Sequence, residues 1–294
     1  MKENDLPDIH NSRDILHQAA RRLSQAGIDS PRREARLLLA HVLQTDLSGL
    51  LMHDHVESAQ ALRFESLVER RASHEPLSYL TGSAGFWSMT LEVSTATLVP
   101  RADTETLIEA LLELRPDRDG VRRILDLGTG TGCLLLAALQ EYRHAWGLGV
   151  DLSPDAARLA TRNARRLGLS GRCDIICGDW AQAIMGRFDV VLSNPPYIPH
   201  GDLGGLMPDV RDYEPHRALD GGADGLVSYR LLMQCLPRLL SAQGIAIIEL
   251  GIGQERSVPA LAREAEMEVL SIRADLGGIG RALVLRPHGE VAKK

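Results

Sequence analysis

Two hydrophobic rhythms divide the chain. From about Ser12 to Ser73 apolar positions recur every three to four residues, the spacing of one helix face. In "SRDILHQAARRLSQAGI", Ile15, Ala19, Leu23 and Ala26 hold that spacing until Gly27 stops it. "DSPRREARLLLAHVLQ" opens with Ser30 as a cap and Pro31 in the first turn, and "SAQALRFESLVERRASH" supplies a further amphipathic helix. After "EPLSYLTGSAG" the rhythm becomes alternation. In "FWSMTLEV", Phe86, Ser88 and Thr90 oppose Trp87, Met89, Leu91 and Val93, and "TLVP" follows after a short turn, so a β-hairpin is predicted here. A helix is predicted from near Asp103.

Beyond Arg122 short apolar runs alternate with helical segments, the mark of a mostly parallel sheet. The strands predicted are "RRILDL", "AWGLGVD", "CDIIC", "FDVVLS", "IAIIEL", "MEVLSIRAD" and "RALVLRP". Only "LGGIG" separates the last two, too little for a crossover helix, so they should pair antiparallel. The expected organisation is a helical domain over 1–80, a hairpin linker over 81–102 and an α/β domain over 103–294.

Composition narrows the field. Of 294 residues 44% are hydrophobic and 24% charged, enough for a full core. A net charge of -6 argues against broad capture of nucleic acid, which needs a basic face. The arginine pairs 21–22, 32–33 and 70–71 read as solvated helix faces. Cys133, Cys173, Cys177 and Cys235 have no metal-ligand spacing and read as buried free thiols in a reducing compartment, and His53 with His55 as surface residues. The polar N-terminus lacks a signal-peptide core, and no apolar run approaches a membrane span. A cytoplasmic protein with no metal and no membrane partner is expected.

Candidate chemistry gathers at the ends of the predicted strands, where open α/β sheets bind ligands. "ILDLGTGTG" sets Gly128, Thr129, Gly130, Thr131 and Gly132 between a strand and a helix. The spacing is neither that of a dinucleotide fingerprint nor that of a phosphate loop. Asp126 is a candidate for orienting this loop or a ligand's amino group. Asp151 ends the next strand, where a carboxylate accepts hydrogen bonds from both hydroxyls of a ribose, and "CGDW" brings Asp179 and Trp180 to the end of the third. Together they predict a site for a ribonucleoside without a demanding phosphate, and S-adenosylmethionine fits.

The fourth strand stops at "SNPPYIP". Proline cannot extend a sheet ladder, and two of them stiffen a loop. The Asn194 side-chain oxygen and the Pro195 carbonyl can hold the two N–H bonds of a planar amide or amine. Pro196 adds rigidity, and Tyr197 offers a face for stacking. Asn194, Pro195 and Tyr197 are therefore the candidate catalytic residues for methyl transfer to nitrogen.

With these motifs in view, the sequence closely resembles the protein-(glutamine-N5) methyltransferases that modify peptide release factors, the PrmC/HemK family. The likeness runs through "EPLSYLTG", "LVPRADTETLIE", "LDLGTGTGCLLLA", "VDLSPDAARLATRNA", "GDW", "SNPPYIP", "YEPHRALDGGADGLVSYR", "IELGIGQ" and "DLGGIGRALV". "NPPY" alone is shared with adenine and guanine methyltransferases. The resemblance implies a class I S-adenosylmethionine-dependent methyltransferase fold, a Rossmann-like seven-stranded sheet, behind a small all-α domain that recognises the release factor. It implies transfer to the glutamine of the Gly-Gly-Gln motif of class 1 release factors, modulating translation termination, with S-adenosylhomocysteine as product. Gly128 to Gly132, Asp151, Trp180 and Asn194 are expected to contact the donor. Asn194, Pro195, Pro196 and Tyr197 are expected to contain the glutamine amide, with the "YEPHRALDGGADG" segment as a wall or lid. A monomer without direct nucleic-acid contact is expected. Where the family reads Pro-Arg-Pro-Glu/Asp-Thr-Glu, this chain has Ala102 in place of the second proline, which predicts a softer turn and unchanged chemistry. A ribosomal-protein glutamine methyltransferase, a nucleic-acid amino-methyltransferase and a non-enzymatic binding module are the rival readings.

Overall fold

The computed structural model describes residues 9–288, and within them the chain divides into two compact units. One comprises the described residues up to Gly82 together with Met207–Tyr213. The other comprises Ser83–Leu206 and the described residues from Glu214 onward.

The first unit is built on helices. Strand β1 (Ile9–Asn11) leads into α1 (Ser12–Gln25), where the Asn11 side chain accepts from the Arg13 amide at 2.9 Å as a cap. Helix α2 (Pro31–Val42) starts on its proline as expected, although Ser30 makes no side-chain capping bond. A short strand β2 (His55–Glu57) pairs antiparallel with β1 and precedes α3 (Ser58–Ala72) and α4 (Leu77–Thr81). Leu23, Leu38, Leu39, Phe64 and Val68 meet in its core. One arginine departs from the solvated-face reading. Arg71 is 6% exposed; its Nε donates to Glu34 at 2.5 Å and its guanidinium lies 3.8 Å from Asp209. Packing of α2 against α3 brings those charges inside, which helical periodicity alone does not reveal.

The second unit opens with an antiparallel hairpin, β3 (Ser83–Phe86) and β4 (Met89–Glu92). The reading of "FWSMTLEV" as one alternating run is corrected here. The turn falls inside it, at Trp87 and Ser88, so Phe86 and Met89 share a face and both are buried. Trp87 has φ 54°, rare for a bulky residue, and is held by its amide donating to Glu105 (2.6 Å) and its indole to Glu141 (2.9 Å).

After α5 (Glu105–Leu114) come β5 (Arg123–Leu127), α6 (Cys133–Glu141), β6 (Trp146–Asp151), α7 (Pro154–Arg166), β7 (Cys173–Cys177) and β8 (Phe188–Ser193). The short α8 (Pro208–Arg211) lies in the segment counted with the helical unit. Then follow α9 (Val227–Leu239), β9 (Leu240–Glu249), α10 (Ser257–Glu264), β10 (Met267–Ala274) and β11 (Gly280–Pro287). All seven predicted strands form one sheet in the order β10-β11-β9-β8-β5-β6-β7. Pairing is parallel from β9 through β7, and β11 runs antiparallel to both β9 and β10. This is the class I methyltransferase architecture.

Alternation along each strand sends side chains to two cores. Ile124, Val190, Leu192 and Ile247 face α5 and α6, while Leu125, Val191, Ala246 and Ile248 face α9 and α10. From β5 the sheet winds outward in both directions, so the crevice between β5 and β8 opens at their C-terminal ends. The cysteines are less uniform than expected: Cys173 and Cys235 are buried, Cys133 half-buried and Cys177 exposed. Cys177 is the last residue of β7, the terminal strand of its sheet, which explains its exposure. No described helix is long and apolar enough to cross a membrane.

Candidate active site

The loop after β5 is shaped by backbone. Gly128, Gly130 and Gly132 all have positive φ (75°, 55° and 85°), a conformation other residues adopt only at a cost. The amides of Gly128 and Thr129 donate to the Val150 carbonyl at 2.9 and 3.0 Å, hooking the loop onto β6. Gly132 sits at the start of α6, where a Cβ would come within 3.0 Å of Leu136. The two threonines serve the loop itself. Thr129 is buried and its hydroxyl donates to Asp126 at 2.7 Å, while the Thr131 carbonyl accepts from Asn163 at 2.9 Å. Asp126 is fully enclosed, and burial pushes its carboxyl up to about 7 against the pull of the Thr129 bond.

Asp151 accepts from the Gly130 amide (2.9 Å) on one oxygen and from the Ser153 amide (2.8 Å) on the other. Each carboxylate oxygen keeps a second lone pair, so two ribose hydroxyls still find acceptors. Trp180 follows β7 with φ 47° and is half-buried. Asp179 is exposed and accepts from Gln182 at 2.5 Å.

The Asn194–Tyr197 loop is pinned at several points. The Ser193 hydroxyl donates to the Leu127 carbonyl at 2.7 Å, locking the ends of β8 and β5 together. The Asn194 amide nitrogen donates to the Thr104 hydroxyl at 3.1 Å, and that hydroxyl donates to Glu249 at 2.6 Å. The Tyr197 hydroxyl lies 3.3 Å from the other Glu249 oxygen, and the Tyr197 carbonyl accepts from Gln254 at 3.0 Å. Pro195 is buried. Farther along, Ile198 pairs with Asp220 in a parallel bridge, which ties the chain after the prolines to the "YEPHRALDGGADG" segment. Gly225, from that segment, passes so close that a Cβ would meet the Tyr197 carbonyl at 2.5 Å.

A cavity of about 270 Å³ lies over these strand ends. Its wall includes Gly128, Gly130, Asp151, Trp180, Asn194 and Pro196, together with Arg217 and Leu231. Thr129, Thr131, Gly132, Asp179, Pro195 and Tyr197 are not among the lining residues. Depressions of greater volume lie on the helical unit, one of about 500 Å³ beside Ile15, Phe64 and Val68, but they do not gather glycine backbone, carboxylate and carboxamide. Where a Cβ would project from Gly128 or Gly130 the nearest atoms stand 3.9 to 4.0 Å away, so a ligand reaches bare backbone there. A carboxylate for hydroxyls, an indole for a base and no cluster of cations for phosphate make a donor set that fits S-adenosylmethionine. Among the described residues, no group of three or more His, Cys, Asp or Glu side chains is placed to hold a metal ion.

Thr104 and Glu249 are the members of this hydrogen-bonded cluster that pattern reading passed over. The available signal was a lone acid closing the apolar run "IAIIEL", a place where an unpaired carboxylate is costly.

Known proteins resemble this chain over most of its length. The family model described as PrmC N-terminal domain matches residues 14–82, and the Methyltransferase small domain matches 101–204. A release factor glutamine methyltransferase of Rhodospirillum rubrum is 47% identical over 276 residues, covering 92% of this chain and 84% of that one. Its counterparts in Cereibacter sphaeroides and Agrobacterium fabrum are 40% and 41% identical, covering 93% and 92% of this chain and 97% and 96% of theirs. Among solved structures, a methyltransferase from Pyrococcus furiosus aligns with a TM-score of 0.52 at 18% identity, over 74% of this chain and 97% of that one. The catalytic domain of human METTL16, solved with an RNA hairpin, aligns with 0.54 at 14% identity, over 80% and 85%. At such identity the likeness is one of fold.

Proposed function

We infer the roles of the site residues from one premise: this chain belongs to the release factor glutamine methyltransferase family. It is a methyltransferase that uses S-adenosylmethionine and acts on a release factor glutamine. We further propose that the acceptor is the side-chain N5 of the glutamine in the Gly-Gly-Gln motif of class 1 release factors. The reaction takes place in the cytoplasm, on a monomer with no direct nucleic-acid contact. The helical domain read over 1–80 recognises the factor, and the Ser83–Glu92 hairpin belongs to the linker that follows.

When bound, S-adenosylmethionine supplies an electrophilic methyl group on a sulfonium whose sulfur keeps the bonding pair as the methyl departs. The Gly128–Gly132 loop holds its methionine portion, Asp151 its ribose hydroxyls and Trp180 its base. The acceptor nitrogen is the harder problem, because an amide lone pair is delocalised. Asn194 Oδ1 and the Pro195 carbonyl accept its two N–H bonds, which turns the lone pair toward the methyl group and favours pyramidal nitrogen. Once methylated, the nitrogen is acidic and releases one N–H proton to solvent, so no side-chain base is required.

One observation carries this reading: the Asn194 carboxamide spends its nitrogen on Thr104 and keeps its oxygen for an incoming N–H, beside the glycine loop. The test is methyl transfer from labelled S-adenosylmethionine. Acceptors are a class 1 release factor, the same factor with the Gly-Gly-Gln glutamine replaced, a large-subunit ribosomal protein and single-stranded DNA. Label on the unaltered factor alone is expected. Label on the ribosomal protein or DNA in its place overturns the acceptor.

A further inference from the structure

Glu249 is 2% exposed, yet no cation bonds to its carboxylate among the described residues. The guanidinium of Arg281 acts on it only through space. Its donors go to Asp275 (3.0 Å), Asp103 (2.9 Å) and the Leu250 carbonyl (3.4 Å). The carboxylate instead collects two hydroxyls, Thr104 at 2.6 Å on Oε2 and Tyr197 at 3.3 Å on Oε1. An apolar side chain here would spare the cost of burying a charge. The retained carboxylate therefore needs another reason.

We propose that Glu249 and Thr104 are positioning residues that dictate which end of the Asn194 carboxamide faces the acceptor glutamine. This rests on the acceptor-holding role given to Asn194 above. Hydrogen counting fixes the orientation. A threonine hydroxyl has a single hydrogen. While Glu249 is ionised that hydrogen goes to Glu249, and Thr104 offers Asn194 only a lone pair. Asn194 must then turn its Nδ2 to Thr104 and its Oδ1 outward, the orientation that accepts an N–H. If Glu249 takes a proton, its own O–H donates to Thr104. The threonine hydrogen is then released toward Asn194, which meets it best with Oδ1, and the flipped carboxamide presents donors to an acceptor that is itself a donor. One carboxylate thus polarises a relay that spans β9, the turn before α5 and the loop after β8. It holds Tyr197 in the same grip.

Titration follows from the surroundings. Burial pushes the Glu249 carboxyl up to about 7; the Thr104 bond, Arg281 and the Tyr197 bond pull it down, and Asp103 raises it. Other groups that sense its charge are Tyr229 and Cys133, both held neutral mainly by burial, and Arg101 acts on Tyr197. The relay is therefore set in the direction that serves catalysis only as pH rises through about 7.

The experiment measures kcat and KM for the release factor across pH, with S-adenosylmethionine affinity by calorimetry, for wild type, Glu249→Gln, Thr104→Val, Thr104→Ser and Asn194→Ala. Wild-type kcat should fall on the acid side with a midpoint near 7. Glu249→Gln cannot ionise, so it should lose that limb and turn over about tenfold slower at alkaline pH, with donor affinity within about twofold. Thr104→Val should be similarly slow, and Thr104→Ser should restore both rate and limb. A Glu249→Gln enzyme with wild-type rate and an intact acid limb overturns the inference. So does one whose donor affinity falls in step with its rate, which marks a purely structural residue. If Asn194→Ala is slow while Glu249→Gln and Thr104→Val match wild type, only this inference fails. If Asn194→Ala itself is undiminished, the acceptor reading fails with it.

Discussion

A carboxamide has two ends of similar shape and opposite hydrogen-bonding sense, and at Asn194 a single bond to Thr104 chooses between them. Asn194 also lines the donor cavity, yet removing its side chain leaves the other lining residues in place. Asn194→Ala is expected to hold S-adenosylmethionine affinity within a few-fold while kcat drops about a hundredfold, as when a transition-state contact is lost. Calorimetry beside a single-turnover assay checks the split, and equal loss in both would place Asn194 in donor binding instead. The main residues of the candidate site were legible from the chain because Asp151 closes a strand and Trp180 and Asn194 follow just after one, where apolar runs end. Thr104 and Glu249 were not. Their bond joins positions 145 apart in sequence, and only the fold makes them neighbours.

Among the elements, the segment from Glu214 to Gly225 contributes Arg217, Ala218 and Asp220 to the wall of the cavity. Buried Glu214 accepts from Arg101 at 2.5 Å and from the Val99 amide at 3.3 Å, and Arg217 donates to the Ser153 hydroxyl at 2.7 Å. Gly225 closes the segment at φ 72° against the Tyr197 carbonyl. Gly225→Ala meets both a strained backbone and a 2.5 Å collision, so it should cost about 2 kcal/mol and lower Tm by several degrees, with turnover reduced through a displaced Tyr197. An unchanged melting curve would mean the loop yields freely. Arg71 makes a parallel case on α3. Arg71→Ala leaves Glu34 half-buried without its partner and should destabilise by about 3 kcal/mol, read from denaturant unfolding. Strand and helix identities were readable from periodicity because the cores demand it. The hairpin turn was not, since Trp87 takes a glycine-like φ supported by bonds to Glu105 and Glu141, distant in sequence.

For the molecule as a whole, two enclosed carboxyls link stability to pH. Burial raises both Asp126 and Glu249 to about 7, from ordinary values of 3.8 and 4.5. Between the ordinary and folded values the native state binds more protons than the unfolded chain, so the slope of stability with pH is negative. Their contribution is present in full below about pH 4 and is lost as pH rises toward about 7. Denaturant titrations should show this fall superposed on all other ionisations, and Glu249→Gln should flatten it. A variant with the wild-type slope would contradict the assignment. The same carboxyl whose contribution to stability falls as it ionises thereby gains its relay function, so over that range activity and this contribution to stability should change in opposite directions.

The route of the chain constrains how such an enzyme is taken apart. Met207–Tyr213 belongs to the helical unit, to which it brings Asp209 beside Arg71 and a Tyr213 hydroxyl that donates to the Ser73 carbonyl at 2.7 Å. It is strung between Leu206 and Glu214 of the sheet unit. The two units are thus interleaved along the polypeptide rather than strung end to end, and no single cut yields both intact. A fragment ending at Gly82 lacks a piece of its own body, while the remainder carries that piece with nothing to receive it. The helical unit is therefore not one continuous stretch of chain that can be exchanged as a cassette between relatives. Any graft has to carry seven residues from the middle of the donor's catalytic half as well.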